Sequence, residues 1–249
     1  MRGWTAALLA AMVGITAVPS LAEDLRAIIE RSERQYWGKS SSSRFTMQVV
    51  TKNWTRSVEM EARTEGKEKF LAKVLSPAKD RGVATLKVGN EVWNYLPKVD
   101  RVIKVPSSMM GEAWMGSHFT NDDLVKESEI EDSYDFTLVE EKPSPDGPLL
   151  VISALPKPTA AVVWGKIVYT IRKKDDLPIL VVYHEEGGAA VREMRFTGFK
   201  PLGGRLLPAR MVVVPYDKPG ETTTIEYLEI VFDPPQPPGL FSLQSLKQK

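Results

Sequence analysis

From Arg44 to Phe232 the chain keeps returning to one pattern, an apolar residue at every second position, and that pattern leaves few folds open. "RFTMQVV" sets Phe45, Met47 and Val49 against Thr46 and Gln48, and "RSVEMEART" sets Val58, Met60 and Ala62 against Ser57, Glu59, Glu61 and Arg63. Successive side chains of a strand point to opposite faces, so period two over this length predicts a sheet with one dry and one wet face. "EKFLAKVL", "GVATLKVG", "EVWNYLP" and "DRVIKVP" continue the series across short turns at Pro77, Gly82, Gly89 with Asn90, and "PKVD", the signature of an antiparallel meander. A second series follows: "DFTLVEE", "GPLLVISAL", "GKIVYTIRK", "LPILVVYH", "AVREMRFTGF", "LLPARMVVVP" and "TTTIEYLEIVF". Together they make about a dozen strands, too many for a flat sheet. Pro208, near the start of its stretch, predicts a strand-start or edge position.

Few helices are available to cover the dry face. "EDLRAIIERSERQYW" places Leu25, Ile28, Ile29, Tyr36 and Trp37 near helical spacing, which predicts an amphipathic helix of about three to four turns ended by Gly38 and Ser40 to Ser43. The tail "DPPQPPGLFSLQSL" starts extended, with Phe241, Leu243 and Leu246 expected to pin it back onto the fold. A long one-faced sheet with so little helix must curl and cover the rest of its dry face with something else, which makes a cavity.

The two series are separated by a stretch with neither pattern, Ser107 to Glu127. It opens with "SSMMGEAWMGSHF" and continues into "TNDDLVKE", where Thr120 or Asn121 can cap a short helix with Asp122 and Asp123 in its first turn,. Met109, Met110, Trp114, Met115 and Phe119 crowd this stretch between Gly111 and Gly116. Methionine is unbranched and polarizable, so a surface built from it adapts to ligands of varied shape. Apolar side chains on a glycine-broken connection are expected to cover something. The stretch is therefore expected to gate a cavity, with the glycines permitting the motion.

Catalytic chemistry is hard to find. His118 precedes Asp122 and Asp123 by four and five residues, a spacing more typical of a helix cap than of a metal site, and His184 reads as a strand end,. "MGSH" is not a nucleophile elbow. Glu140 with Glu141, and Glu185 with Glu186, are adjacent, so in a strand each pair diverges to opposite faces,. "GGAAV" at Gly187 lacks the context of a dinucleotide loop. The expectation is no catalytic residue, no metal and no cofactor.

Residues 1–22 differ from the rest. Arg2, an apolar run from Trp4 to Val18, and small residues at Ser20 and Ala22 form the pattern of a secretory signal peptide cleaved after Ala22,. The run is shorter than the ~20 residues a membrane span needs. With no cysteine, there is neither a disulfide nor a lipidation site, and the expected location is the periplasm. Removing Arg2 leaves 32 basic against 32 acidic side chains, a balance that gives no support to a nucleic-acid partner. Residues 23–249 show no linker and are expected to form a single domain.

On four stretches the chain resembles the LolA-like outer-membrane lipoprotein-sorting superfamily. They are "KVGNEVWNYLPKVDRVIKVP", the following "MGEAWMGSHFTNDDL", "FTGFKPLGGRLLPARMVVVP" and the ending "FDPPQPPGLFSLQSL". The resemblance implies a mainly β fold with a few α-helices, a single curved antiparallel sheet forming a half-open β-barrel under a helical lid. It further implies a periplasmic monomer, not an enzyme, that carries lipoprotein acyl chains or lipid between an inner-membrane transporter and an outer-membrane acceptor. The alternatives are a sensor or interaction module on the same fold, or a lipid-binding accessory to an efflux or ABC transporter. The expected cavity and lid residues are Phe45, Met47, Met60, Phe70, Trp93, Tyr95, Met109, Met110, Trp114, Met115 and Phe119. The position of His118 is usually acidic in that superfamily. The arginine that fastens its lid has no assigned counterpart here; Arg63, Lys67 and Arg101 are the candidates, and no latch residue is named.

Overall fold

The computed structural model describes residues 21–126 and 130–247, so nearly all of the expected signal peptide lies outside the described residues. Helix α1 (Leu21–Glu33) buries Leu25 and Ile29 one turn apart and runs into a 3-10 turn at Arg34–Tyr36. Thirteen strands follow: β1 (Ser40–Val50), β2 (Thr55–Glu65), β3 (Lys69–Ser76), β4 (Ala84–Val88), β5 (Glu91–Leu96), β6 (Arg101–Lys104), β7 (Tyr134–Lys142), β8 (Leu149–Pro156), β9 (Lys166–Arg172), β10 (Leu177–His184), β11 (Ala190–Leu202), β12 (Arg205–Pro215) and β13 (Thr222–Phe232). Two short helices, α2 (Asn121–Lys126) and α3 (Ile130–Ser133), lie between β6 and β7, and α4 (Leu243–Leu246) ends the chain.

All thirteen strands form one antiparallel sheet in the order β6-β5-β4-β3-β2-β1-β13-β12-β11-β10-β9-β8-β7. Each half is a meander, and the halves join where β13 pairs with β1 from Ser41 opposite Phe232 to Val50 opposite Thr222. The turns follow their residues: Gly89–Asn90 closes the β4–β5 hairpin, and Gly203–Gly204, both at positive φ, close the β11–β12 hairpin, the backbone that two-residue hairpins require. The sheet curls without closing, because β6 and β7 are its two free edges. The half-open barrel is therefore a curved open sheet. β12 pairs with β13 only over Arg210–Val213, so Pro208 sits where β12 has a free side, and the Tyr36 hydroxyl donates to its carbonyl at 2.6 Å. That free side is why proline is tolerated in a strand near the middle of the sheet.

The two faces are covered differently. The concave face carries the main core, including Met47, Met60, Val74, Ile152, Tyr169, Met194 and Val213, and α1 lies across it. On the convex face, α4 buries Leu246 against Leu71, Ala84 and Leu86, with Trp93, Tyr95 and Phe241 at the margin. Ser242 and Ser245 form a reciprocal cap for α4,. Leu243, expected to help, is about half exposed.

Candidate functional site

The strand order decides where the unpatterned stretch must go. β6 and β7 are opposite edges of the sheet, and the described residues 105–126 and 130–133 of the connection between them lie across the mouth of the concave face. Their contacts mark the crossing. The Trp114 indole N–H donates to Thr85 Oγ1 in β4 at 3.0 Å, and its ring meets Phe70 of β3 edge-on at 6.3 Å. Arg56 in β2 donates to the Met115 carbonyl at 3.0 Å. The His118 backbone N–H donates to Thr223 Oγ1 in β13 at 2.9 Å. Arg192 in β11 then holds Asp123 of α2 with two hydrogen bonds of 2.8 and 2.6 Å.

The crossing segment is knit to itself as well. Trp114 N–H reaches the Phe119 carbonyl at 2.8 Å, Asp122 N–H the Met110 carbonyl at 2.8 Å, and the buried Asn121 amide donates to the Met109 and Glu112 carbonyls. Met115 and Gly116 are both left-handed, at φ 52 and 74. A glycine is needed for the second of these. Gly111 has nothing within 4 Å of where a Cβ would stand. Thr120 and Asp123 cap α2 reciprocally, at 2.7 and 3.2 Å, as the sequence led us to expect of Thr120.

Under this cover lies a cavity of about 170 Å³. Phe45, Phe70, Trp114, Phe119, Leu124, Met194, Met211 and Ile225 give it an apolar body, and Ser41, Ser43, Thr64, Lys67 and Lys87 give it a polar end. Two smaller chambers of about 40 and 30 Å³ continue under α2–α3 and under α1. Met194 lines all three. A methionine partition is easily moved, since its three side-chain torsions repack at low cost.

Two charged clusters hold the cover. Arg192 lies 4.5 and 4.6 Å from the ring centres of Trp164 and Tyr183, and its side chain and that of Asp123 are 8% and 14% exposed. A bidentate pair this dry is strong as a fastener, because breaking it strands a charge. In the second cluster Glu131 of α3, almost fully buried, pairs with Lys67 of the β2–β3 turn and with Arg34 at 3.3 Å. Burial and the nearby Arg34 guanidinium push the Lys67 ammonium below its ordinary range. His118 is fully engaged: Nδ1 lies 2.8 Å from Thr223 Oγ1 and Nε2 3.1 Å from Glu221 Oε2. With the Nε2–H donated to the carboxylate, the Thr223 hydroxyl serves Nδ1 and accepts the His118 backbone N–H, a tautomer inferred from the network. The Lys52 backbone N–H, then His118, hold the Glu221 carboxyl below the usual carboxylate range.

Of the residues expected at the site, Phe45, Phe70, Trp114 and Phe119 line the main cavity. Met47 and Met60 lie beneath it in the fully buried core, and Met115 packs at the edge of that core. Met109 is half exposed, and Met110 serves the segment through its carbonyl. Trp93 and Tyr95 lie on the convex face beside α4, because Trp93 pairs with Leu86 rather than with the concave-facing Thr85 or Lys87. Arg192 holds the covering segment through Asp123, and of the three positions named from sequence Lys67 contacts it, through Glu131 of α3. Arg192, Met194 and Lys87 escaped sequence reasoning, although all three occupy dry-face positions in alternating strands. A charge at such a position is the signal that would have found Arg192 and Lys87.

Three of the solved structures similar to the chain bear on its fold. A DUF1329 family protein from Desulfovibrio piger is 20% identical at a TM-score of 0.77, covering 90% of this chain and 98% of that one. A domain from Vibrio parahaemolyticus ascribed to an outer membrane lipoprotein-sorting protein is 19% identical at 0.75, covering 91% and 100%. A LolA superfamily protein from Nitrosomonas europaea is 16% identical at 0.72, covering 89% and 98%. No curated protein matches in sequence. A family model described as "Uncharacterized protein" matches residues 66–248; the chain belongs to that family and has the fold of the LolA superfamily.

Proposed function

We propose that the protein is a non-catalytic periplasmic carrier that shields the acyl chains of a lipoprotein or lipid on their way toward the outer membrane. The observation that carries this reading is the apolar cavity roofed by a segment running from edge to edge of the sheet and fastened by two charge clusters. A cavity of this kind needs no specific chemistry to hold a chain, since burial is worth about 0.8 kcal/mol per methylene. The Met194 partition lets the three chambers join when a longer chain enters, and α2–α3, where exchangeable ion pairs supplement the burial of Val125 and Ile130, is the part that lifts. The described helices include none long and apolar enough to cross a membrane, which accords with a carrier that moves between membranes. The fold shared with a lipoprotein-sorting domain points the same way.

Delipidated, refolded protein should take up a fluorescent fatty acid or lipopeptide with saturation at one equivalent. Protein purified gently from its host should show a bound lipid or lipoprotein by native mass spectrometry. Failure of uptake by folded protein would remove the carrier reading.

A further inference from the structure

The cavity is sorted along its length, and its polar end is cationic. In β4, Lys87 stands opposite Phe70 of β3, on the concave face, with only 4% of its surface exposed. Its ammonium donates to the Lys67 carbonyl in the β2–β3 turn. The Ser41 and Thr64 hydroxyls meet at 2.7 Å on the same wall. Holding one buried and one half-buried lysine at one end of a greasy cavity is costly unless an anion meets them there,.

In the covered state that anion is the protein's own: Glu131, carried by the covering segment, pairs with Lys67. Arg34 is shared between Glu131 and Glu30, and Glu33 on α1 lines the same cavity within electrostatic reach of Lys67. With Glu131 withdrawn, the carboxylate that pairs with both Lys67 and Arg34 has left this end of the cavity.

We propose that this polar end is the headgroup subsite of the cargo, that it takes a single anionic group, phosphate or carboxylate, on the amphiphile whose chains fill the apolar body, and that Glu131 is the internal ligand this group displaces. The proposal rests on the carrier reading. It couples loading to opening: an anionic head that takes Lys67 from Glu131 releases α3 from the sheet, whereas an uncharged amphiphile leaves α3 pinned. Release runs in reverse, with Glu131 returning as the cargo departs.

The test is calorimetric titration of the full mature chain, delipidated, with dodecyl phosphate, dodecanoate, dodecanol, dodecyltrimethylammonium and inorganic phosphate. Both anionic amphiphiles should bind about tenfold more tightly than dodecanol, the size of one charge-assisted contact. Lys67→Gln and Lys87→Gln should each erase that preference, bringing the anionic ligands to the affinity of dodecanol measured on the same variant. Glu131→Gln, nearly isosteric and free of folding risk from lost volume, should strengthen the anionic ligands several-fold by removing their competitor. Equal affinity for charged and neutral amphiphiles, or no gain in Glu131→Gln, overturns the headgroup assignment and leaves the carrier reading standing. Inorganic phosphate binding as tightly as dodecyl phosphate overturns it in favour of a free-anion site. If no amphiphile binds, the carrier reading falls and the assignment with it.

Discussion

Residues 107–120 and residues 121–133 belong to one crossing segment, yet they are held down by different physics. The first half is fixed by a buried indole and by hydrogen bonds: Trp114 to Thr85, which in turn donates to Asn94 at 2.6 Å, and His118 to Thr223. The second half adds ion pairs, Asp123 to Arg192 and Glu131 to Lys67 and Arg34, to the burial of Val125 and Ile130. Apolar burial is insensitive to what arrives in the cavity, whereas an ion pair can be exchanged for another. On the proposed carrier reading, the Trp114 half is a wall and the α2–α3 half, whose ion pairs can be exchanged, is the part that moves.

The comparison is broken most directly at Trp114. Trp114→Ala removes a ring that is 4% exposed and should cost about 3–5 kcal/mol of global stability, read by chemical denaturation. If that variant instead kept wild-type stability and gained hydrogen exchange only in its own stretch, the wall assignment would be wrong.

Alkaline pH sharpens the comparison through the tyrosines. Tyr134, which starts β7 directly after α3, donates to the Trp164 carbonyl at 2.9 Å, and burial pushes its phenol up to about 12. Tyr169, in the core, is raised further by burial. A raised folded-state value means the folded chain holds these protons where the unfolded chain has lost them. Their contribution is full below about pH 10 and declines as pH climbs toward 12, by about 2–3 kcal/mol for Tyr134. Denaturant midpoints measured across that range should fall accordingly.

Asp123→Asn tests the moving half. It weakens the pair with Arg192 while leaving the guanidinium against Trp164 and Tyr183, and should cost about 1–3 kcal/mol. Exchange protection should drop selectively in α2, α3 and the Thr120 amide that Asp123 caps, with residues 107–117 unaffected. The smallest effect belongs to Thr85→Val and Thr223→Val, each about 1 kcal/mol, expressed as fraying of residues 107–120 in exchange experiments. Fraying of α2–α3 in these two variants would erase the distinction between the halves.

Much of the fold was legible because each strand declares itself locally. All thirteen stretches of alternation became strands, Thr120 capped α2, and Leu25 and Ile29 turned α1 inward. The site was less legible. Phe45, Phe70, Trp114 and Phe119 were found by their size and place in the pattern. Trp93 and Tyr95 look equally suitable, and only their register with Leu86 and Ala84 sends them to the convex face. Arg192 is 69 residues from Asp123 in the chain, and no local pattern announces a partner at that distance.

What the sequence by itself determined is the list of strands, their dry faces and the single interruption between Ser107 and Glu127, since period-two alternation and turn residues act over a few neighbours. Only the tertiary structure decided that the second series returns to pair β13 with β1. That pairing leaves β6 and β7 as opposite edges and forces the interruption across the cavity mouth. The meeting of Glu131 with Lys67, and of Asp123 with Arg192, follows from that crossing. Charges far apart in sequence become partners only when the path of the chain brings them into the same dry space.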